Sequence, residues 1–254
     1  MNDAVETPLP RLPYGLDECA LLLDVDGTLL DLAPTPREVY VSKELRQTLQ
    51  KLYERTGGAV AFVSGRPVEE LDLIFAPLLL SAVGGHGCEF RLSPTGPMHA
   101  ASAVPLPTKI KQRFAVIAEA APGIIIEDKK YSIALHYRLA PDMEDHVRKS
   151  AAVLCEELDL PLELLFGKSV VEIKQAGFNK ASAVREVMMH APFAGRRPVF
   201  VGDDTTDEPV FPVIPEFGGM GFSVGRRIAG VPGHFDQPRD VRRWLEILAV
   251  GTTP

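Results

Sequence analysis

Ala20–Asp26 reads Ala-Leu-Leu-Leu-Asp-Val-Asp, a continuous apolar run that ends in two carboxylates. Such a run is typical of a strand that is buried on both faces of a parallel sheet. Two further apolar runs, residues 59–63 and 198–202, are followed directly by Ser64 and Asp203. Helical patterns separate these runs, so the sequence predicts an α/β fold with a doubly wound, Rossmann-like parallel sheet. The remaining predicted elements of this core are a strand over 80–83, a strand over 219–224, and helices over 42–56, 179–190, 206–211 and 241–248.

The middle of the chain has a different order of elements. A helix, a hairpin, a second helix and a second hairpin follow one another, which favours a small antiparallel α+β unit. The predicted organisation is a flexible N-terminal tail (1–15), a core (16–104 and 177–254) and an inserted α+β unit (105–176). The predicted hinges are Val104-Pro105 and residues 175–177.

Composition excludes several classes of protein. The chain has 254 residues, is 46% hydrophobic and carries a formal net charge of −7, which argues against a nucleic-acid binder with its usual basic face. Its three cysteines, without a CxxC pair, exclude a disulfide scaffold and a cysteine-rich zinc site. No apolar stretch approaches the roughly 18–20 residues of a membrane span, and the N-terminus lacks a secretory signal. We therefore expect a soluble, cytoplasmic protein without membrane or nucleic-acid partners, and the sequence leaves its oligomeric state open.

Two strand ends carry a dense set of carboxylates, in Asp24-Val-Asp-Gly-Thr28 and in Gly202-Asp-Asp-Thr-Thr-Asp207. Ligands of such sheets bind beyond the carboxyl ends of the strands, so up to five carboxylates are expected to converge on one pocket. Their mutual repulsion would be relieved by a hard cation, and Mg²⁺ binds through carboxylates, waters and substrate phosphate. Gly27 is expected to turn the backbone tightly and to leave N–H groups free for an anion.

The residue types in these motifs fit phosphoryl transfer. Asp24 is placed to act as a nucleophile, and Asp26 as general acid and then general base. Ser64 could hold phosphate at a helix N-terminus, and Lys180 could neutralise the phosphoryl oxygens. Taken singly, each has a structural alternative: a turn with a helix cap for Asp24–Thr28, a helix cap for Ser64, and a solvated lysine for Lys180. No GxxxxGK[ST] run and no GxGxxG after a strand is present, so neither a P-loop nor a dinucleotide fold is supported.

Together, in this chain order, the pieces resemble the haloacid dehalogenase (HAD) superfamily of phosphatases. The matching pieces are Asp24–Thr28, Ser64-Gly-Arg66, Lys180 and Gly202–Asp207. The inserted unit lies where that superfamily carries its larger type of cap. The resemblance implies a HAD-like hydrolase core with an inserted α+β cap domain.

A narrower resemblance is to the trehalose-6-phosphate phosphatase family. It rests on Gly85-His-Gly-Cys-Glu89, His136-Tyr-Arg138, Val171-Glu-Ile-Lys174 and Gly202–Glu208, and it spans roughly residues 20–225. The chain departs from the family pattern at Gly85, Gln175 and Ala181, where Asn, Pro and Gly are frequent. The resemblance implies a Mg²⁺-dependent enzyme that hydrolyses trehalose 6-phosphate to trehalose and phosphate through an aspartyl-phosphate intermediate.

The same resemblance implies a role for each matching residue. Metal would be held by Asp24, Asp26 and Asp203, with Asp204 and Asp207 in support. Phosphate would be held by Thr28, Ser64, Gly65 and Lys180. The sugar would be recognised by His86, Gly87, Glu89, Arg138, Glu172 and Lys174. Mixed polar groups of this kind suit a disaccharide rich in hydroxyls, although Glu172 and Lys174 share one strand face and could instead pair across the sheet.

Three alternative functions remain open from the sequence. The first is a HAD phosphatase of another sugar phosphate, such as sucrose 6-phosphate or a glycosyl-phosphoglycerate. The second is a phosphotransferase that passes the phosphoryl group to a second sugar. The third is a non-catalytic sugar-phosphate-binding module, which is disfavoured because such modules typically lose the nucleophile or the acid, and both carboxylates are present here.

Overall fold

A computed structural model describes residues 9–33, 38–100, 103–158 and 160–251 of the chain. The strands, in chain order, are β1 (Cys19–Leu23), β2 (Val60–Val63), β3 (Ser81–Gly84), β4 (Glu89–Arg91), β5 (His99–Ala100), β6 (Ile125–Asp128), β7 (Ser132–His136), β8 (Leu162–Gly167), β9 (Val170–Gln175), β10 (Arg197–Gly202), β11 (Met220–Val224) and β12 (Gly233–Phe235). The α-helices are α1 (Lys43–Arg55), α2 (Val68–Phe75), α3 (Thr108–Ala118), α4 (Glu144–Leu158), α5 (Lys180–Met188) and α6 (Pro238–Val250).

The core is an eight-stranded sheet in the order β12-β11-β10-β1-β2-β3-β4-β5. The six strands from β12 to β3 are parallel, and β4 and β5 add an antiparallel edge. Helices α1, α2 and α6 pack on one face through residues such as Leu49 and Trp244, and α5 packs on the other through Val184. Helices on both faces of a mostly parallel sheet confirm the predicted doubly wound α/β class.

The inserted segment forms a separate four-stranded antiparallel sheet in the order β6-β7-β9-β8. Alternate residues of a strand face opposite sides. Ile133 and Ile173 therefore pack against α3 and α4 in a core of their own, while the polar residues that alternate with the isoleucines along each strand face the opposite side. The two chain segments that join this unit to the core lie side by side, since the Val104 N–H donates to Gln175 Oε1 at 3.2 Å. We call this sheet with α3 and α4 the inserted unit.

Two sequence predictions need correction here. The helix predicted over 206–211 is a series of turns that ends in a 3₁₀-helix at Ile214–Phe217. Pro209 lacks the N–H group that an α-helix over these residues requires at this position. Of the tail predicted at 1–15, residues 1–8 lie outside the described part. From Leu9 onward the chain packs against the core, and Trp244 Nε1 donates to the Pro10 carbonyl at 2.8 Å.

Candidate active site

The two acidic motifs meet at the carboxyl ends of adjacent strands. Strands β1 and β10 pair in parallel, so Asp24 and Asp203, which follow them directly, lie next to each other. Carboxylate oxygens of Asp24, Asp203 and Asp207 all lie within 4.8 Å of one another, and all three side chains are buried. The predicted convergence of these carboxylates is present in the fold.

Lys180 is the cation that balances this cluster. It is the first residue of α5, where Asn179 caps the helix by accepting the Ser182 N–H. Lys180 Nζ donates to Asp24 Oδ1 and to Asp207 Oδ1, at 2.7 Å each. Burial acts to lower the pKa of Lys180, but the two carboxylates outweigh it, so the pKa is raised and the ammonium stays charged.

The pKa of the Asp24 carboxyl is raised well above its ordinary value. Burial is the largest cause, the neighbouring Asp207 adds to it, and Lys180 opposes both. Burial likewise raises the pKa of Asp203, and the Lys168 ammonium, 2.8 Å from its Oδ2, acts in the opposite direction. Two buried carboxyls with raised pKa values indicate a site that favours additional positive charge.

The cluster fits a hard divalent cation. Its donors are carboxylate oxygens, the ligands that Mg²⁺ prefers. Gly27 leaves room for them, since its φ is +85° and a Cβ at this position would lie 2.3 Å from Asp203 Oδ2. Asp207 has a supporting place, because its Oδ2 already accepts the N–H groups of Asp203 and Asp204 at 3.0 and 3.1 Å.

The N–H groups of Gly27 and Thr28 are not among those left free for an anion. The Gly27 N–H donates to the Leu30 carbonyl at 2.8 Å, and the Thr28 N–H donates to the Val25 carbonyl at 3.3 Å. Both N–H groups are therefore bonded to carbonyls of the same turn. The role of Gly27 in this structure is the backbone conformation and the space that it leaves beside Asp203.

Arg66 holds Asp26 in a forked ion pair. Its Nε and Nη2 lie 2.6 and 2.8 Å from the two carboxylate oxygens of Asp26. Burial acts to lower the pKa of Arg66, but the bonds to Asp26 outweigh it and the pKa is raised. The Ser64 hydroxyl accepts the Arg66 N–H at 3.1 Å, so Ser64 also organises the turn that carries this arginine. The side chain of Asp26 therefore has one defined orientation at the cavity.

Above these residues lies a cavity of about 150 Å³ that both units line. The core contributes the predicted residues Asp24, Asp26, Ser64, Gly65, His86, Lys180, Asp203 and Asp204, together with Arg66. The inserted unit contributes Glu127, Lys129, His136, Arg138, Lys168 and Glu172. Of these six, only Arg138 and Glu172 were predicted as site residues. Glu127, Lys129 and Lys168 lie in or near the two hairpin turns, where a charged residue by itself indicates only a solvated turn. His136 ends β7 and belongs to the His136-Tyr-Arg138 motif, but its sequence context favours an inward-facing structural histidine.

His86 and Glu172 join the two units across the cavity. His86 Nε2 lies 3.0 Å from Glu172 Oε1, and Gly65 is required beneath it because a Cβ there would lie 2.4 Å from the same nitrogen. Burial acts to raise the pKa of Glu172, but Lys129, 3.0 Å away, and His86 outweigh it and hold that pKa well below its ordinary value. His86 Nδ1 is buried without a hydrogen-bond partner among the described residues, so it offers a ligand an unused polar atom.

Several predicted site residues lie outside the cavity lining, namely Thr28, Gly87, Glu89, Lys174 and Asp207. Thr28 Oγ1 donates to Asp203 Oδ1 at 3.4 Å. Lys174 pairs across the sheet with Glu163 at 2.6 Å, the cross-sheet pairing considered as its structural alternative, and also donates to the Phe178 carbonyl. Arg138 lines the cavity and donates to the carbonyls of Ala33 and Lys168.

Comparison with known proteins agrees with this arrangement of residues. The family described as trehalose-phosphatase matches residues 22–231, which include both acidic motifs and the whole inserted unit. The chain belongs to the trehalose-phosphatase family. Membership confirms the predicted family and reaction class, a phosphoric monoester hydrolase.

Two relatives of this family are similar over most of their length. The trehalose-6-phosphate phosphatase of Escherichia coli (strain K12) is 38% identical over 250 residues, 95% of this chain and 90% of the relative. The probable trehalose-phosphate phosphatase of Sinorhizobium fredii (strain NBRC 101917 / NGR234) is 38% identical over 217 residues, 85% of this chain and 82% of the relative.

Solved structures of a trehalose-6-phosphate phosphatase and of a HAD superfamily phosphatase share the fold. The C-terminal domain of trehalose-6-phosphate phosphatase from C. albicans aligns with a TM-score of 0.82 at 23% identity, over 96% of this chain and 99% of that one. A phosphatase of the HAD superfamily from Bacteroides thetaiotaomicron aligns with a TM-score of 0.59 at 15% identity, over 93% and 96%. Within the described residues, no helix of this chain combines the length and apolar character needed to cross a bilayer.

Proposed function

We propose that this chain hydrolyses trehalose 6-phosphate in a Mg²⁺-dependent reaction that passes through a phosphorylated Asp24. The observation that carries the proposal is the placement of Asp24. Its buried carboxylate stands at the end of β1, faces the cavity, and is bonded through Oδ1 to Lys180. A carboxylate held in one orientation beside a fixed cation is suited to nucleophilic attack on phosphorus.

In the first half of the reaction, an Asp24 oxygen attacks phosphorus and the bond from phosphorus to the sugar oxygen breaks. Asp26 donates its proton to the departing sugar oxygen, so trehalose leaves as a neutral alcohol. For this transfer Asp26 carries its proton on one carboxyl oxygen and keeps a bond from Arg66 through the other, which orients the carboxyl, while Lys180 stabilises the negative charge on the phosphoryl oxygens.

In the second half, water attacks the phosphorus of phosphorylated Asp24. Asp26 accepts the proton of this water, the bond between phosphorus and the Asp24 oxygen breaks, and inorganic phosphate leaves. Asp24 and Asp26 thereby return to their starting forms. Ser64 and Gly65, which line the cavity beside Asp26, would hold the phosphate during both halves.

Asp24 and Asp203 would hold Mg²⁺, with the main-chain carbonyl of Asp26 as a further oxygen ligand. The bound ion would supply charge neutralisation of the phosphoryl group. Asp207 would keep Asp203 and Asp204 in place through their N–H groups, and Asp204 would act through water.

The inserted unit supports a sugar as the other part of the substrate. Its cavity wall presents carboxylates, ammonium groups, an imidazole and a guanidinium, which can bond many hydroxyls at once. The cavity, about 150 Å³, is smaller than the roughly 300–1,000 Å³ of typical small-molecule sites. We propose that residues 105–176 act as a cap that opens to admit the disaccharide phosphate and closes over it.

The test is phosphate release from trehalose 6-phosphate, glucose 6-phosphate and sucrose 6-phosphate by the purified protein. We expect the highest kcat/KM with trehalose 6-phosphate, loss of turnover after chelation, and recovery with added Mg²⁺. A preference for sucrose 6-phosphate or for the monosaccharide phosphate would overturn the proposed substrate and leave the chemistry intact. Full activity in the presence of chelator would overturn the metal dependence.

A further inference from the structure

Glu89 is the predicted sugar-binding residue whose observed partners point to a different role. It is the first residue of β4, and its side chain is almost entirely buried. Its Oε1 accepts the Val68 N–H at 2.8 Å, and its Oε2 accepts the Lys130 ammonium at 2.9 Å. Both carboxylate oxygens are engaged within the protein, one with each unit, and Glu89 does not line the cavity.

On the core side, Glu89 secures the turn that faces the phosphate. Val68 is the first residue of α2, whose N–H has no partner within the helix, and a carboxylate there also favours the helix dipole. The turn of residues 64–67 immediately precedes it. Neighbouring backbone bonds, from the His86 N–H to the Ser64 carbonyl (3.1 Å) and from the Gly85 N–H to the Arg66 carbonyl (2.9 Å), attach the same turn to the segment that leads to Glu89.

On the other side, Glu89 contacts the inserted unit next to its predicted hinge. Lys130 lies in the turn between β6 and β7, and its carbonyl accepts the Leu106 N–H at 3.0 Å, close to Val104-Pro105. The adjacent Tyr131 packs onto the core at Gly85, where a Cβ would lie 3.1 Å from the ring. The turn, the hinge and the core loop therefore meet at one point.

We propose that Glu89 is a positioning residue: by binding Lys130 beside the hinge, it sets the orientation of the inserted unit over the phosphate-binding turn. This inference rests on the proposed function, because only a substrate with a sugar part needs that orientation. A small rotation at the hinge becomes a larger displacement at the far wall, where Arg138 and Lys168 line the cavity. Glu89 thus acts on the sugar through the geometry of the unit and not by contact.

The test compares Glu89→Gln, Lys130→Met and the double variant, with Lys149→Met as the matched control. Lys149 is a lysine of the same unit whose side chain is 78% exposed, and it forms an ion pair with its helix neighbour Asp145. Gln at position 89 keeps the shape and an acceptor for the Val68 N–H but removes the charge that binds Lys130. The first measurement is kcat and KM with trehalose 6-phosphate and with p-nitrophenyl phosphate. The second is hydrogen exchange of the backbone N–H groups in residues 103–107 and 175–179.

We expect each single variant to raise KM for trehalose 6-phosphate about two- to fivefold, the range of a partly exposed ion pair. The kcat with p-nitrophenyl phosphate should stay unchanged, the double variant should be no worse than the singles, and hinge exchange should rise in all three. An increase in KM for Glu89→Gln alone would assign Glu89 to sugar contact and overturn the proposal, as would unchanged hinge exchange. Failure of the wild-type protein to hydrolyse trehalose 6-phosphate would refute the proposed function, while the exchange comparison, which needs no substrate, would still decide the role of Glu89.

Discussion

Lys180 Nζ donates a 2.7 Å hydrogen bond to Asp24 Oδ1, joining two residues that are 156 positions apart in the chain. The lysine comes from the first turn of α5 and the aspartate from the end of β1, so the bond forms only when the helix packs on the sheet. Both side chains are buried, and the pair is the electrostatic centre of the candidate active site.

Asp24→Asn should abolish phosphate release and leave the protein folded. The amide is a poor nucleophile, and loss of covalent catalysis should lower kcat by at least about a thousandfold. The fold should persist because burial disfavours the ionised carboxylate of Asp24, and asparagine carries no charge. Lys180 keeps Asp207 as a partner in the variant. Phosphate release and thermal unfolding measure the two effects. Retained turnover would contradict a phosphorylated Asp24.

Arg66→Lys should lower kcat by about tenfold or more with a smaller effect on KM. Lysine cannot reproduce the forked bond that orients Asp26, the proposed acid and base. Arg91→Lys is the matched control, because Arg91 makes an equivalent forked pair with Asp72 at 2.7 Å, away from the cavity. Steady-state kinetics of both variants distinguish a lost orientation of Asp26 from a general loss of stability. Equal loss of kcat in both would show that the effect is one of stability alone.

Gly27→Ala should weaken Mg²⁺ binding. The new Cβ would lie 2.3 Å from Asp203 Oδ2, in a backbone conformation with φ at +85°, so the carboxylate must move. Gly225→Ala controls for backbone strain, since its φ is +75° and, within the described chain, a methyl group there would meet no atom within 4 Å beyond its chain neighbours. The measurement is the rise in unfolding temperature on titration with Mg²⁺. We expect the rise to vanish in Gly27→Ala and to persist in Gly225→Ala; the reverse pattern would remove Asp203 from the metal site.

Glu172→Gln should flatten the acid limb of the stability profile. The folded protein holds the pKa of Glu172 well below the ordinary value of 4.5, so its ionised form stabilises the fold above that value. The contribution decreases as the pH falls below 4.5 and is lost once the pH has passed through the folded pKa. Urea unfolding between about pH 3 and 7 measures it, with the exposed Glu156→Gln as the control. Identical profiles for wild type and Glu172→Gln would contradict the assigned ion pairs.

The core and its reaction class could be predicted because their signals are local. The apolar runs before Asp24, Ser64 and Asp203 specify buried strands, and parallel pairing then brings their carboxyl ends to one edge. The short strands β4, β5 and β12, of three, two and three residues, carry too little periodicity to be recognised.

The loop after β10 shows the limit of local reasoning. The sequence pattern predicts a helix over 206–211, but Pro209 lacks an N–H, and the N–H groups of Asp207, Glu208 and Val210 donate to carbonyls three residues back, so the segment forms turns. The same segment bonds a distant residue, since Asp207 Oδ1 accepts Lys180 Nζ at 2.7 Å, and a local pattern does not contain such a contact.

The sequence by itself determined the α/β class, the buried strands that precede Asp24, Ser64 and Asp203, and the family to which their motifs belong, because strand patterns and short motifs depend on neighbours along the chain. Only the tertiary structure decided which side chains close the cavity and which serve elsewhere. Lys129 and Lys168 reach it from hairpin turns, whereas Glu89 turns away from it to bind Val68 and Lys130. Such choices depend on how two separately folded sheets meet, and the contacts between them join residues far apart in the chain.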